Sequence, residues 1–255
     1  MGPATKRVPP VEALAFASVA VFSLAALIIG VHLLLLARRT RQAPELLLGL
    51  SFVVSLMGNC MFIVGLDTEI ANYPWSIELV QVGLIVVDIG VAFMALFNLR
   101  VYRKGSRVAS LLTWTLIVCM VGSQVVTWGL LDSVSRSDPF SYWLKYGLRA
   151  IVYVWGAVEA LRYHRLLARR VRHGLADPVV ANRFFLWGVA SVLAVIMLTA
   201  FETGDFFGFQ TTIGDIFMIT ASFVGAPAAV LYWVTFFAPA RYRELVVRRS
   251  HLPPA

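Results

Sequence analysis

Long apolar stretches alternate with short polar connections along almost the whole chain. Seven stretches have the roughly 20 mostly apolar residues that an α-helix needs to cross a bilayer. They cover 11–36, 44–66, 77–97, 109–131, 142–161, 184–203 and 212–237. This pattern predicts an all-α membrane protein that forms a seven-transmembrane-helix bundle, with a transmembrane domain over 1–240 and a short basic cytoplasmic tail over 241–255.

The basic residues predict how the bundle is oriented. Most of the 22 lysines and arginines lie in the connections that follow the first, third, fifth and seventh predicted spans, as in Arg38–Arg39, Arg100–Arg107 and the arginines of 162–183 and 241–249. The positive-inside rule places such connections in the cytoplasm. We therefore expect an N-terminus outside, a cytoplasmic C-terminus, and short outer connections over 67–76, 132–141 and 204–211.

Composition supports the membrane assignment and narrows the partners. Hydrophobic residues make up 59% of the 255 residues and charged residues 14%, which is improbable for a water-soluble domain of this length. The net charge of +8 comes largely from arginines that flank predicted spans. Because anionic headgroups are the nearest acidic partner there, we expect membrane lipids, and no nucleic acid, as partners.

Several ionisable residues fall inside the predicted spans, where each costs about 2.5–3.5 kcal/mol unless it faces a partner. Polar side chains recur at helical spacing on several spans, mostly in the outer half, and Asp88 lies deepest. The sequence predicts a pocket there for a small or lipid-like ligand, with Asp88 as its floor. Its candidate residues are Asn59, Glu78, Gln81, Asp88, Tyr146, Arg149, Tyr153, Glu202 and Asp215. Alternatively, Arg149 only neutralises Asp215, Glu202 or Asp88 so that the charges can be buried.

Other chemistry finds no support in the sequence. Cys60 and Cys119 fall within spans, which gives no extracellular disulfide framework, and the four histidines offer no metal or haem pair inside the bundle. No catalytic motif occurs, so we expect neither an enzyme nor a cofactor. Acids in the third and last spans resemble the counter-ions of microbial rhodopsins, but the last span has no lysine for a retinal Schiff base.

The end of the last span carries a more informative pattern. Residues 232–242 read YWVTFFAPARY: aromatic residues, then a small residue, a proline and an arginine-rich segment. This resembles the exit segment of seven-transmembrane sensor regions in bacterial histidine kinases and diguanylate cyclases, although Ala240 replaces a second proline. The resemblance implies a bacterial inner-membrane sensor. Because no kinase or cyclase domain follows, it also implies a separate cytoplasmic signalling partner.

Two other functions fit the same pattern. The first is a proton-coupled transporter or permease in which Asp88 titrates and Arg149 modulates it. The second is a structural membrane subunit that assembles with another protein. A sensor or receptor-like protein remains the first expectation.

Overall fold

The chain folds into α-helices joined by short connections. The structure, a computed structural model, describes residues 10–66, 73, 75–129, 139–207 and 211–250. These residues contain no strand and form eight helices: α1 (Pro10–Thr40), α2 (Ala43–Leu66), α3 (Ser76–Tyr102), α4 (Arg107–Gly129), α5 (Pro139–Arg172), α6 (Pro178–Phe207), α7 (Thr212–Phe236) and α8 (Ala240–Ser250). The all-helical prediction is confirmed.

Six of the helices are long and apolar enough to cross a membrane, which makes this an integral membrane protein. The candidate spans lie in α1, α2, α3, α4, α6 and α7, at Ala20–Thr40, Ala43–Gly65, Ser76–Tyr102, Arg107–Val125, Pro178–Gly204 and Thr212–Phe236. The sequence predicted a further span at 142–161. That segment lies in α5, which is long enough to cross a membrane at 34 residues but is not apolar enough to count among the candidate spans.

Charged residues explain why α5 fails the composition criterion. Lys145, Arg149 and Glu159 all fall within 142–161. Arg149 and Glu159 are nevertheless buried, at 9% and 8% exposure. They pair with Asp88 on α3 and with Arg103 just after α3, respectively. These two charges of α5 thus face its neighbours in the bundle.

Six of the eight helices form a closed ring, and α4 and α8 lie outside it. The ring runs α1, α2, α3, α5, α6 and α7, and α7 packs again on α1. The hydroxyl of Ser18 on α1 donates to the carbonyl of Ser222 on α7 at 2.9 Å, which ties these two helices together and closes the ring. α4 packs against α3 and α5 from outside the ring, and it leaves a broad apolar surface exposed that includes Leu111, Val118 and Val125.

The connections rich in arginine all lie at one end of the bundle, called here the basic end. Contacts between neighbouring helices show this around the ring. His32 of α1 lies against Phe237, just after α7, with ring centroids 4.8 Å apart. Arg103, just after α3, pairs with Glu159 of α5. A groove brings the start of α2 beside the α3–α4 connection.

The two remaining connections meet at the same end. Nδ1 of His164 on α5 lies 2.8 Å from the carbonyl oxygen of Ala181 near the start of α6. The side-chain amide of Asn182 donates to the hydroxyl of Tyr242 on α8. The basic connections therefore share one side of the bundle, as the distribution of arginines predicted.

The predicted outer connections are shorter than expected where they can be compared. α5 already begins at Pro139 and α6 continues to Phe207, so Pro139 and Gly204 are helical rather than parts of loops. Residues 67–72, 74, 130–138 and 208–210 lie outside the described part of the chain, as do 1–9 and 251–255. Most of the predicted tail, in contrast, is helical and forms α8.

Glycines let α2 and α3 approach closely. A Cβ atom on Gly83 would lie 2.7 Å from the backbone nitrogen of Phe62 and 2.8 Å from the carbonyl oxygen of Gly58. These distances leave no room for a side chain. Small residues at such positions drive helix association in lipid, where burial of apolar surface gives no advantage.

Aromatic side chains fill the core between α2, α6 and α7. The Trp187 ring on α6 packs edge to face on Tyr232 and Phe236 of α7, with centroids 5.0 and 5.7 Å apart. Phe52 of α2 contacts both Trp187 and Tyr232. This cluster packs α2, α6 and α7 together.

Candidate functional site

The centre of the candidate site is an ion pair between α3 and α5. Nε of Arg149 lies 2.6 Å from Oδ1 of Asp88. Both residues are buried, with 8% of Asp88 and 9% of Arg149 exposed. Of the three acids that the sequence offered as partners of Arg149, the structure selects Asp88.

A glutamine from α4 completes this arrangement. Nε2 of Gln124 donates to Oδ2 of Asp88, and an Nη2 group of Arg149 lies 3.4 Å from the carbonyl oxygen of Leu84. Both carboxylate oxygens of Asp88 therefore have partners. Asp88, Gln124 and Arg149 together are called the polar junction, because three helices meet there.

Sequence reasoning missed Gln124. After Arg107 its helix carries no charged residue, so the search for buried charges did not identify it. A lone amide in a span nevertheless has to find a hydrogen-bond partner, since an unsatisfied polar group in lipid costs several kcal/mol, on the order of 2–7. That rule would have identified Gln124 as a residue that faces the bundle.

Pairing makes the two charges of the polar junction tolerable in the membrane. An isolated charge at the middle of a bilayer is costly, and opposite charges in contact offset each other's desolvation only when their hydrogen bonds are also satisfied. Gln124 supplies one of these bonds and Leu84 accepts a weak one. The junction can thus hold α3, α4 and α5 together, and it depends on each of its members.

Two more candidate residues join α5 to α6 nearer the opposite end from the basic connections. The Tyr142 hydroxyl lies 2.7 Å from Oε2 of Glu202 and 3.0 Å from its carbonyl oxygen. The Tyr146 hydroxyl is hydrogen-bonded to the hydroxyl of Thr199. These contacts form a polar ladder along the α5–α6 interface, separate from the α3–α5 ion pair.

The other predicted residues do not all converge on one point. Gln81 and Tyr153 are partly buried, and Tyr153 lies one helical turn beyond Arg149. Asn59 and Glu78 are exposed on the isolated bundle. Glu78 and the partly buried Asp215 each lie in the first turn of a helix, α3 and α7. An acid at that position interacts favourably with the helix dipole, which gives both a local role.

A second ion pair joins the same two helices at the basic end. Nη2 and Nε of Arg103 lie 2.5 and 2.7 Å from Oε1 of Glu159. The Glu159 side chain is 10% exposed and that of Arg103 39%, so one partner is buried while the other reaches solvent. α3 and α5 are consequently held by charges at two levels, once inside the bundle and once at its basic end.

No known protein family, curated protein or solved structure matches this chain. The likeness of 232–242 to sensor exit segments is therefore a resemblance of that segment alone. A function can therefore be inferred only from the structure itself, that is, from the polar junction, the α5–α6 ladder and the basic end.

Metal and disulfide chemistry gain no support from the geometry. Within the described ranges, no three histidine, cysteine or acidic side chains come close enough to hold a metal ion. Cys60 and Cys119 are free and lie on the exposed surfaces of α2 and α4. The arrangement is suited to holding helices through buried charge, and to responding when that charge is disturbed.

Proposed function

We propose that this protein is a seven-helix membrane sensor that binds a small or lipid-like ligand in the half of the bundle away from the basic end. It signals to a separate partner at the basic end, which faces the cytoplasm of a bacterial inner membrane. In this proposal α5 also crosses the membrane, which brings the number of spans to seven, and its buried charges are shielded inside the bundle. The N-terminus is outside and the C-terminus inside, in agreement with the positive-inside rule.

The observation that carries this proposal is the pair of ionic links between α3 and α5. Asp88–Arg149 lies within the bundle and Arg103–Glu159 lies at the basic end. A ligand that competes for Arg149 or Asp88 weakens the ion pair within the bundle, and movement of the helices transmits the change to the ion pair at the basic end. A ligand can shift such an equilibrium only as far as its affinities for the two states differ, and buried charges provide large differences.

The basic end offers surfaces that a partner can recognise. α5 continues beyond the bundle with Arg165, Arg169 and Arg170 exposed. α8 follows α7 directly and is attached to α6 through Asn182 and Tyr242. Movement of α5 relative to α6 would therefore change the spacing of two basic helices, which is a suitable output to a separate signalling partner.

The transporter alternative has less support. A carrier carboxylate has to exchange its proton or ion with both sides of the membrane in turn. Asp88 instead has both oxygens engaged, by Arg149 and by Gln124. The structural-subunit alternative rests on the exposed apolar face of α4, but lipid alone can cover such a face.

Distance measurement between spin labels tests the proposal. Labels are placed at Arg169→Cys on α5 and Arg243→Cys on α8, in a Cys60→Ser/Cys119→Ser background in nanodiscs. We expect Asp88→Asn and Arg149→Met to shift or broaden the distance distribution, whereas Ile89→Ala, on the exposed face of α3, leaves it unchanged. The labelled pair then serves to screen small molecules and lipids for a ligand that shifts the distance only when Asp88 is present.

An unchanged distance in both junction variants would contradict the proposal. It would mean that the inner ion pair is a local packing device with no connection to the basic end. A shift in the Ile89→Ala control as large as in the junction variants would also contradict it, because the distance would then respond to any change in α3.

A further inference from the structure

A groove opens at the basic end, between the ends of α2, α3 and α4. It has a volume of about 600 Å³ and is lined by the start of α2 at Ala43 and Pro44, the end of α3 at Leu99 and Arg100, and residues 104–107 and Ser110 of the α3–α4 connection and α4. α2 and α4 both pack on α3, and across the described residues they make no extensive contact with each other. The groove is the gap between them.

Positive charge dominates this groove. Arg100, Lys104 and Arg107 line it, and no acidic residue does. None of the three forms an ion pair with a described residue, in contrast with Arg103 next to them, which is paired with Glu159. The nearest acid on α2, Glu45, accepts a hydrogen bond from Thr40 instead. Three cations side by side repel one another unless an anion lies between them.

The start of α4 adds to the preference for an anion. α4 begins at Arg107, and its first turn contains no acid. The hydroxyl and carbonyl of Ser106 accept from the backbone amides of Ala109 and Ser110 at 3.3 and 3.0 Å. The amides of Arg107 and Val108 precede the first helical acceptor and have no partner within the helix. A cation at this position is disfavoured by the helix dipole, so Arg107 is better explained by a bound anion than by the helix itself.

An apolar surface continues directly from the groove along α4. Val108, Leu111 and Leu112 follow Arg107 and are 69%, 69% and 58% exposed. On α2, Leu46 is 45% exposed and follows Pro44 by two residues. A cationic pocket at the membrane surface that leads into an apolar strip matches a molecule with an anionic head and hydrocarbon chains. Basic pockets between membrane helices bind lipid headgroups in this way.

We propose that this groove is a specific binding site for an anionic phospholipid. The headgroup phosphate lies among Arg100, Lys104 and Arg107, and the acyl chains run along the exposed face of α4 beside α2. This site is separate from the ligand site proposed for the other half of the bundle, and it does not depend on sensor function. It also accounts for the position of α4 outside the ring, since a lipid would fill the space between α4 and α2.

Selective fluorescence quenching tests the site. A dye is attached at Leu112→Cys in a Cys60→Ser/Cys119→Ser background, and the full chain is reconstituted into phosphatidylcholine vesicles. Nitroxide-labelled phosphatidylglycerol or nitroxide-labelled phosphatidylcholine is then added. We expect a preference for phosphatidylglycerol on the order of 10-fold, which the variant Arg100→Gln/Lys104→Gln/Arg107→Gln reduces to near unity.

A matched variant separates the groove from general surface charge. Arg165→Gln/Arg169→Gln/Arg170→Gln removes the same number of charges from the same end, and it should keep the preference. Lys104→Gln alone, in a connection that tolerates substitution, should reduce the preference partially. This single change guards against misfolding of the triple variant.

Three results would overturn the proposal. Equal quenching by the two lipids in the parent protein would mean that the groove does not select a headgroup. If the triple variant of the α5 arginines lost the phosphatidylglycerol preference as fully as the groove variant, overall surface potential, rather than the groove, would attract the lipid. Loss of the preference on adding millimolar inorganic phosphate, but not equimolar chloride, would identify a site for a soluble anion instead.

Discussion

Asp88 on the third helix and Arg149 on the fifth form a buried ion pair, with Oδ1 and Nε 2.6 Å apart. The pair explains how a helix with charges in its middle can belong to a membrane-embedded ring. It also brings in α4, because Gln124 occupies the second carboxylate oxygen of Asp88. Removing Asp88 leaves both Arg149 and Gln124 without this partner, and removing Arg149 leaves the Asp88 charge without its counter-ion.

The first prediction concerns the mutual dependence of this pair. Asp88→Leu and Arg149→Leu should each lower the free energy of unfolding by about 3–5 kcal/mol, because each leaves an uncompensated buried charge or its partner's hydrogen bonds unmade. The double variant should lose markedly less than the sum. Reversible unfolding in mixed micelles measures all four proteins, and Ile89→Ala serves as the exposed control on α3, with an expected effect within about 0.5 kcal/mol. Additive losses in the double variant would show that the two residues act independently.

A second prediction tests the close contact of α2 and α3. Gly83→Ala should destabilise the protein by about 1–3 kcal/mol through overpacking, since the added methyl would meet the backbone of Phe62 and Gly58. Gly122→Ala on α4 is the matched control, because a Cβ atom there meets nothing within 4 Å. That control should be neutral or slightly stabilising, as alanine favours helix over glycine by roughly 1 kcal/mol. Equal effects of the two changes, measured as thermal midpoints in the same detergent, would be inconsistent with this packing.

The link at the basic end gives a third prediction. Arg103→Glu should release the end of α3 from α5, and so should Glu159→Arg, while the charge-reversed double variant should restore the contact. Proteolysis of the α3–α4 connection in nanodiscs reports on this release. We expect faster cleavage in each single variant and near-parental cleavage in the double variant. Failure of the double variant to recover would indicate that the ion pair does not hold the two helices together.

A fourth prediction separates a sensor from a transporter. In proteoliposomes with an entrapped pH dye, the sensor account predicts no proton flux above that of empty vesicles under an imposed gradient. Asp88→Asn should leave this baseline as it is. A flux in the parent protein that disappears in Asp88→Asn would instead establish Asp88 as a carrier group.

The sequence predicts more of the fold than of the candidate site. Each predicted apolar stretch lies largely within one helix, because length and hydropathy alone decide whether a segment can cross lipid. The predicted span at 142–161, which lies in α5, is the exception that composition could not settle. Its Arg149 and Glu159 look unfavourable until Asp88 and Arg103 are found opposite them, and that pairing depends on the three-dimensional arrangement of helices.

The candidate site shows the same difference between local and non-local information. Helical periodicity identified Asp88 and Arg149 as inward-facing, but it could not choose among three acids for the arginine. It also grouped Glu78 and Asn59 with them, although both are exposed on the isolated bundle. The rotation of each helix about its own axis is fixed by packing, for example by Gly58 against Gly83. A single sequence does not predict this rotation.

The most direct test of the central claim is the side of the membrane on which each end of the bundle lies. We place single cysteines at Lys104, Arg169 and Tyr73 in a Cys60→Ser/Cys119→Ser background. Intact cells are then treated with a membrane-impermeant maleimide. Lys104→Cys and Arg169→Cys should be protected until the membrane is opened, and Tyr73→Cys should react at once. Labelling of Lys104→Cys and Arg169→Cys from opposite sides would contradict the bundle, its orientation and the sensor built on them.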